Sequence, residues 1–287
     1  MKLFNKVTII GVGLIGGSIG LGIKNRHLAK EVIGVFRRKS TLKKALKYRA
    51  VDRGVMSVED GVKDSDLIIL ATPVHLIPKL VKDVMKYAKK GAVITDAGST
   101  KKWIVDNVEN MRKSSRPVFF VGSHPMAGSE HAGVEFARRD LMEGSPCIVT
   151  RTRKTDKRAI VRVINFWKAL GAKVKVTSPE SHDRSVAMIS HLPHLVAFSL
   201  AGTVPMGDIA LAAEGFKDTT RVASSDPALW ADIFLSNKKE LLKAGRAFDK
   251  YYNKIAKAIA KGDYSAITRL MKTAKNKRDK FSYAKEV

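Results

Sequence analysis

The sequence predicts an α/β domain with a parallel sheet over residues 1–177 and an all-α domain over residues 178–287. Three observations carry this. Short β-rich runs alternate with helical patterns through the first part, as they do when crossover helices join parallel strands. A glycine-rich turn stands between the first such strand and the first such helix. After Val176 almost only helical periodicity remains. A chain of 287 residues also favours two domains over one core.

Val7-Thr8-Ile9-Ile10 reads as the first strand and Leu14 to Lys24 as its helix. Val32 to Val35 is a second strand, and Ser40 is placed to cap a helix running through Lys47. Leu67 to Leu70 is a buried strand ended by Ala71-Thr72-Pro73, and a helix over His75 to Lys89 follows. Ala92 to Thr95 and Val118 to Val121 are further strands flanking a helix over Trp103 to Met111. Cys147 to Thr150 and Lys173 to Val176 flank a helix near Ala159 to Leu170. Ser178-Pro179-Glu180 then opens the helical part with a cap, a proline at the first position and an acid near the positive end of the dipole. Long helical segments are expected around residues 180–203, 227–261 and 263–283.

Composition excludes several classes. Hydrophobic residues make up 45%, enough for a sizeable core. No uninterrupted apolar run of about 18 residues is present, so no membrane span is expected. The start lacks the pattern of a signal peptide, and the one cysteine, Cys147, permits no intramolecular disulfide, which suits a reducing cytoplasm. The 53 Lys and Arg against 27 Asp and Glu leave a net charge of +26. That excess is spread over both halves and accompanies no zinc-finger or RNA-recognition pattern, so a solvated surface is expected and not a nucleic-acid partner.

Gly11-Val12-Gly13-Leu14-Ile15-Gly16 is a GxGxxG that follows an apolar strand and opens an apolar helix, the context this motif needs to hold a dinucleotide. Gly11 permits the tight turn, Gly13 lets backbone approach the pyrophosphate, and Gly16 allows close helix–strand packing. Leu14 and Ile15 start the helix whose free N–H groups face the phosphates. The first domain is thus a Rossmann-type dinucleotide-binding domain, with Thr72, Pro73 and Gly98, which follow later strands, expected beside the coenzyme. At the end of the second strand, where NAD binders usually place an acid for the ribose hydroxyl, Arg37-Arg38-Lys39-Ser40-Thr41 stands. Arg37, Arg38, Ser40 and Thr41 suit a 2′-phosphate, so NADP is the preferred coenzyme and NAD the second choice.

Further motifs follow in order: Asp96-Ala97-Gly98-Ser99-Thr100-Lys101, Ser123-His124-Pro125-Met126-Ala127-Gly128-Ser129-Glu130, Ser190-His191-Leu192-Pro193-His194 and Gly215 to Arg221. With the glycine turn before them they resemble the prephenate/arogenate dehydrogenase family of tyrosine biosynthesis, over about residues 5–260. The resemblance implies an oxidative decarboxylation. Hydride leaves the carbon bearing the ring hydroxyl for the nicotinamide, and loss of the ring carboxylate makes the product aromatic.

A base must take the hydroxyl proton, and histidine suits this at neutral pH. His124, placed just after a strand, is the residue expected to do it, with Ser99 orienting the same hydroxyl or the histidine. The resemblance makes His194 a contact to the substrate side chain. Arg221 is the candidate partner of a substrate carboxylate, held in place by Asp218. Ser129, Glu130 and Trp230 are expected near the substrate, with Asp183 and Ser190 supporting the histidines. His191 and His194 stand three apart on one helical face, a spacing that could bind metal, but no acid or cysteine accompanies them and no metal is expected. His27, His131 and His182 are given no role.

The resemblance further implies that the helical domain pairs two subunits in a homodimer. Apolar residues at helical spacing between Ala228 and Ala260, more than one core needs, agree with this. Two other readings are carried: a β-hydroxyacid dehydrogenase or imine reductase of the same layout, and a non-catalytic dinucleotide sensor. The first would lack the His-Pro-Met turn and the Ser-His-Leu-Pro-His segment.

Overall fold

The computed structural model describes residues 2–111, 117–129 and 131–286, the last six of these by their backbone alone. Strands and helices alternate as β1 (Phe4–Ile10), α1 (Leu14–Asn25), β2 (Ala29–Val35), α2 (Lys39–Lys47), β3 (Arg53–Val55), α3 (Val58–Val62), β4 (Leu67–Leu70), α4 (Ile77–Tyr87), β5 (Val93–Asp96), α5 (Lys102–Glu109) and β6 (Phe119–Val121). These six strands form one parallel sheet in the order β3-β2-β1-β4-β5-β6. Strand order reverses between β1 and β4, and a crevice opens there at the carboxyl ends of the strands. All four β4 residues are buried, because helices cover both faces of the sheet. One apolar layer gathers around Ile9, Ile19 and Phe166, the other around Ile68, Ile77 and Ile94.

Sequence and structure differ in a few places here. β3 and α3 were not expected, since three residues of Arg-Gly-Val carry no readable alternation. Ser40 does not cap α2: Arg38 holds the cap position without a side-chain bond, and Ser40 sits in the first turn. The last two strands expected for the parallel sheet belong elsewhere. β7 (Ser123–Pro125), β8 (Pro146–Thr150) and β9 (Lys173–Thr177) make a separate three-stranded sheet, with β7 antiparallel to β8 and α6 (Lys157–Ala169) joining β8 to its parallel partner β9. Gly122 marks the change of sheet, and a Cβ there would lie 2.6 Å from Thr150 Oγ1.

α7 (Pro179–Val186) starts as expected, with Ser178 accepting from Ser181 N–H and Pro179 in the first turn. The helix expected over 180–203 is interrupted. A widened, π-type turn spans Ala187–His191 before α8 (Leu192–Thr203) resumes. Pro193 explains it, because its ring has no N–H to donate and would clash with the carbonyl four residues back in a regular helix. The stretch Pro179–Thr203 is long and apolar enough by composition to cross a membrane, yet it carries the buried His182, Asp183 and His191. A short turn at Met206–Leu211 leads into α9 (Glu214–Thr220), and a second at Arg221–Ser224 leads into α10 (Pro227–Ser236), which Asp226 caps. The helix expected over 227–261 breaks at the buried Asn237, and α11 (Lys238–Ala260) begins after it.

The chain falls into two compact units, Met1–Lys238 and Lys239–Val287. The second is a helical hairpin of α11 and α12 (Tyr264–Glu286), turned at Gly262 with φ of 63° and tied by Tyr251 Oη donating to the Leu270 carbonyl at 2.8 Å.

Candidate active site

A cleft of about 680 Å³ lies within the first unit. One end is made by the turn after β1. Gly11 has φ of 94°, and a Cβ on it would lie 2.4 Å from the Ala71 carbonyl oxygen. A Cβ on Gly16 would lie 2.1 Å from the Gly11 carbonyl oxygen. Both must be glycine for the turn to close on β4 and for α1 to start where it does. Gly13 is different, since a Cβ there would meet nothing within 4 Å. Its half-buried backbone lines the cleft at the start of α1, where free N–H groups and the helix dipole suit a pyrophosphate. Thr72, after β4, leaves a buried Oγ1 without a partner in the same wall. These features fit a dinucleotide. Leu14, Ile15, Pro73 and Gly98 also line the cleft, while Arg37, Arg38, Ser40 and Thr41 are exposed at the end of β2, outside it. Thr41 Oγ1 donates to the Arg38 carbonyl at 2.8 Å.

The other end is built from side chains. His124 stands in β7, and its Nδ1 lies 2.9 Å from Nε2 of His182 on α7. His182 Nδ1 in turn lies 2.7 Å from Asp183 Oδ1. Asp183 is fixed by two backbone donors, Lys101 N–H at 2.7 Å and Lys102 N–H at 2.9 Å. The carboxylate is acceptor-only when ionised, so His182 donates from Nδ1 and accepts at Nε2, and His124 donates from Nδ1. The lone pair of His124 is thereby left on Nε2. Burial, then the neighbouring His182, Lys101 and His191, hold the His124 imidazole well below the usual histidine range, so it is neutral. His182 is also held down by burial, against the pull of Asp183. His182, given no role above, is thus the residue through which Asp183 reaches His124.

Ser99 lies in the same cleft, on the loop between β5 and α5. Ser123, before the histidine, is locked by Asp96 accepting its N–H at 3.0 Å and by Trp167 Nε1 donating to its Oγ at 3.0 Å.

The substrate wall comes from the helices. His194 stacks on Trp230 with ring centroids 3.5 Å apart and 20° between planes, and its Nδ1 donates to the Ser190 carbonyl at 2.9 Å. Burial lowers the His194 pKa, and the Arg221 cation adds to this. His191 faces the interior, its Nδ1 3.2 Å from Asn237 Nδ2, and burial brings its pKa to about 4. Arg221, exposed in the turn after α9, lines the cleft with Ser129, Ser190, His194 and Trp230, whereas Asp218 is exposed on α9 outside it. Glu130 lies outside the described residues. Asp226, which lines the cleft beside Arg221, was not singled out from sequence because a cap before Pro227 reads as purely structural.

The nucleotide-binding domain of prephenate dehydrogenase matches residues 19–176 as a family model, and the dimerization domain of prephenate dehydrogenase matches residues 178–273. The chain belongs to the prephenate dehydrogenase family. It is accordingly an oxidoreductase with an NAD(P)-binding domain followed by a domain of the dimerisation type. The prephenate dehydrogenase of Bacillus subtilis is 38% identical over 285 residues, covering 97% of this chain and 76% of that one. The Aquifex aeolicus prephenate dehydrogenase, solved with hydroxyphenyl propionate and NAD+, superposes with a TM-score of 0.89 at 35% identity, over 96% of this chain and 98% of that one. A Synechocystis arogenate dehydrogenase does so with a TM-score of 0.80 at 29% identity, over 96% and 99% of the two chains. The β-hydroxyacid dehydrogenase, imine reductase and sensor readings are set aside.

Proposed function

We propose that this chain oxidatively decarboxylates prephenate or arogenate, with hydride transfer to NAD(P), as a step toward tyrosine. The observation that supports it best is the Asp183–His182–His124 chain, which leaves one basic nitrogen in the cleft that the glycine turn opens onto. A nicotinamide coenzyme held by the turn supplies the hydride acceptor. His124 Nε2 takes the ring hydroxyl proton as the C–H bond beside it gives up its hydride. His182 keeps the imidazole in the tautomer that can accept, and Asp183 keeps His182 in the tautomer that supports it. The ring C–carboxylate bond then breaks, carbon dioxide leaves, its electron pair completes the aromatic ring, and His124 returns the proton to the phenolate oxygen. Arg221 binds a substrate carboxylate, while His194 and Trp230 pack the side chain and Ser99 orients the hydroxyl.

Coenzyme preference is read at the end of β2. Arg37 and Arg38, with Ser40 and Thr41 in the first turn of α2 and no acid in that turn, favour NADP over NAD. Residues 178–287 are proposed as the substrate and dimerisation domain of a cytoplasmic homodimer. Met206 and Leu211, exposed at 85% and 84%, support a face made for a second copy. A monomer in sedimentation at micromolar concentration would end that reading.

The deciding experiment is a kinetic matrix of prephenate and arogenate against NADP and NAD, followed by absorbance of the reduced nicotinamide. Turnover of at least one ring acid is expected, faster with NADP. No turnover in any of the four combinations rejects the function, and a clear preference for NAD rejects the coenzyme assignment.

A further inference from the structure

Lys101 is buried completely, and so is Asp96, the carboxylate its ammonium contacts. Neither reaches the cleft surface, so neither binds substrate. A buried ion pair of this kind adds little net stability compared with a well-packed apolar pair, which directs attention to what it holds in place. Asp96 accepts the Gly98 N–H at 2.9 Å on Oδ2, the oxygen that also meets Lys101, and the Ser123 N–H at 3.0 Å on Oδ1. One oxygen therefore ties the loop that carries Ser99, and the other ties the strand residue before His124. The backbone of Lys101 joins a second carboxylate, because its N–H donates to Asp183 Oδ1, the atom that orients His182.

We propose that Lys101 is a positioning residue for the dehydrogenase reaction, its side chain clamping Asp96 and its backbone clamping Asp183, so that Ser99, His124 and His182 are fastened to one point. This rests on the reading of His124 as the base. The same ammonium contributes to keeping His124 uncharged. The charged and titratable groups around that imidazole are His182, Asp183 and His191 from the helices, Lys101 and Asp96 from the β5–α5 region, and the Cys147 thiol from β8. Lys101 is the fixed cation among them.

The test compares the full-length parent with Lys101→Met, the paired Asp96→Asn/Lys101→Met, and Lys101→Arg. Each is measured for thermal midpoint, coenzyme Kd by fluorescence, and kcat and kcat/KM against pH. The single neutral variant leaves a buried carboxylate unpaired and is at risk of not folding, which is why the paired variant is included. In the paired variant coenzyme Kd is expected to stay within about twofold while kcat falls at least about tenfold, since an asparagine oxygen accepts only one of the two N–H groups well. In folded Lys101→Met, which removes the cation alone, the acid limb of kcat/KM is expected to move up by about half a pH unit or more, because a histidine freed of a nearby cation protonates more readily. Lys101→Arg keeps the cation and is expected to keep the limb where the parent has it. A folded neutral variant with the parent's kcat and pH profile overturns the proposal, as does a kcat loss matched by coenzyme affinity. If neither neutral variant folds, Lys101 is a folding residue and the proposal is rejected. An inactive parent would reject the function of the site itself, an outcome distinct from all of these.

Discussion

At the coenzyme end of the cleft, Gly11 to Gly16 supply a surface made almost wholly of backbone, whereas at the proton end the side chains of His124, His182 and Asp183 must meet across 58 positions of chain. The first end is local: a strand, a turn and a helix start, with glycines wherever a Cβ would collide. The second end exists only after β7, α7 and the loop before α5 have packed together. Chemistry carried by backbone is written in consecutive residues, while chemistry carried by side chains depends on tertiary contacts that spacing does not encode.

Substitutions separate the two ends. The largest effect is expected from His124→Asn, which removes the base and should lower kcat by roughly 10²–10⁴-fold. Coenzyme Kd should be unchanged, and near-parent kcat in that variant would show that proton transfer lies elsewhere. Arg221→Ala comes next. It should mainly raise KM, with a loss of about 2–5 kcal/mol in kcat/KM if the carboxylate it meets is left unpaired. Steady-state kinetics checks this, and a loss confined to kcat would argue against carboxylate binding.

Gly13→Ala sharpens the comparison from the other side. A Cβ at this position meets no protein atom, so the thermal midpoint should hold, yet it intrudes where a pyrophosphate would rest. Coenzyme Kd should rise by about tenfold, equivalent to roughly 1.4 kcal/mol, in a titration followed by fluorescence. An unchanged Kd would mean that the phosphates lie off this backbone.

The smallest effect concerns acid stability. His191 is neutral in the folded chain down to about pH 4 but has an ordinary value of 6.5. Between those values the unfolded chain binds the extra proton, so stability is fully present above pH 6.5 and drains away as the pH falls toward 4. His124, His182 and His194 shift in the same direction. Thermal midpoints from pH 8 to 5 should decline below about pH 6.5, less so in His191→Asn; a flat profile contradicts the buried neutral histidine.

Much of the parallel sheet was legible because β1, β2 and β4 are apolar runs next to clear turn signals. β3 was not, being three residues long with a glycine in the middle. The second sheet escaped because pairing partners 123 and 149 are set by a change of direction at Gly122, not by periodicity. His124 and Arg221 stood out through their neighbours in motifs. His182 stood in no motif. Its single signal was the acid beside it, and adjacent residues on a helix diverge too much for that to suggest a shared task.

The widened turn at Ala187–His191 has a consequence for how α8 is aimed. Each residue of a regular helix advances the azimuth by about 100°, so the additional residue in this turn re-indexes everything downstream by roughly that angle. Straightening it by deleting one position would leave α8 helical and apolar, yet swing His194 away from Trp230 and bring a different side chain round in its stead. The aim of the substrate wall is thus set by a proline that does not itself line the cleft.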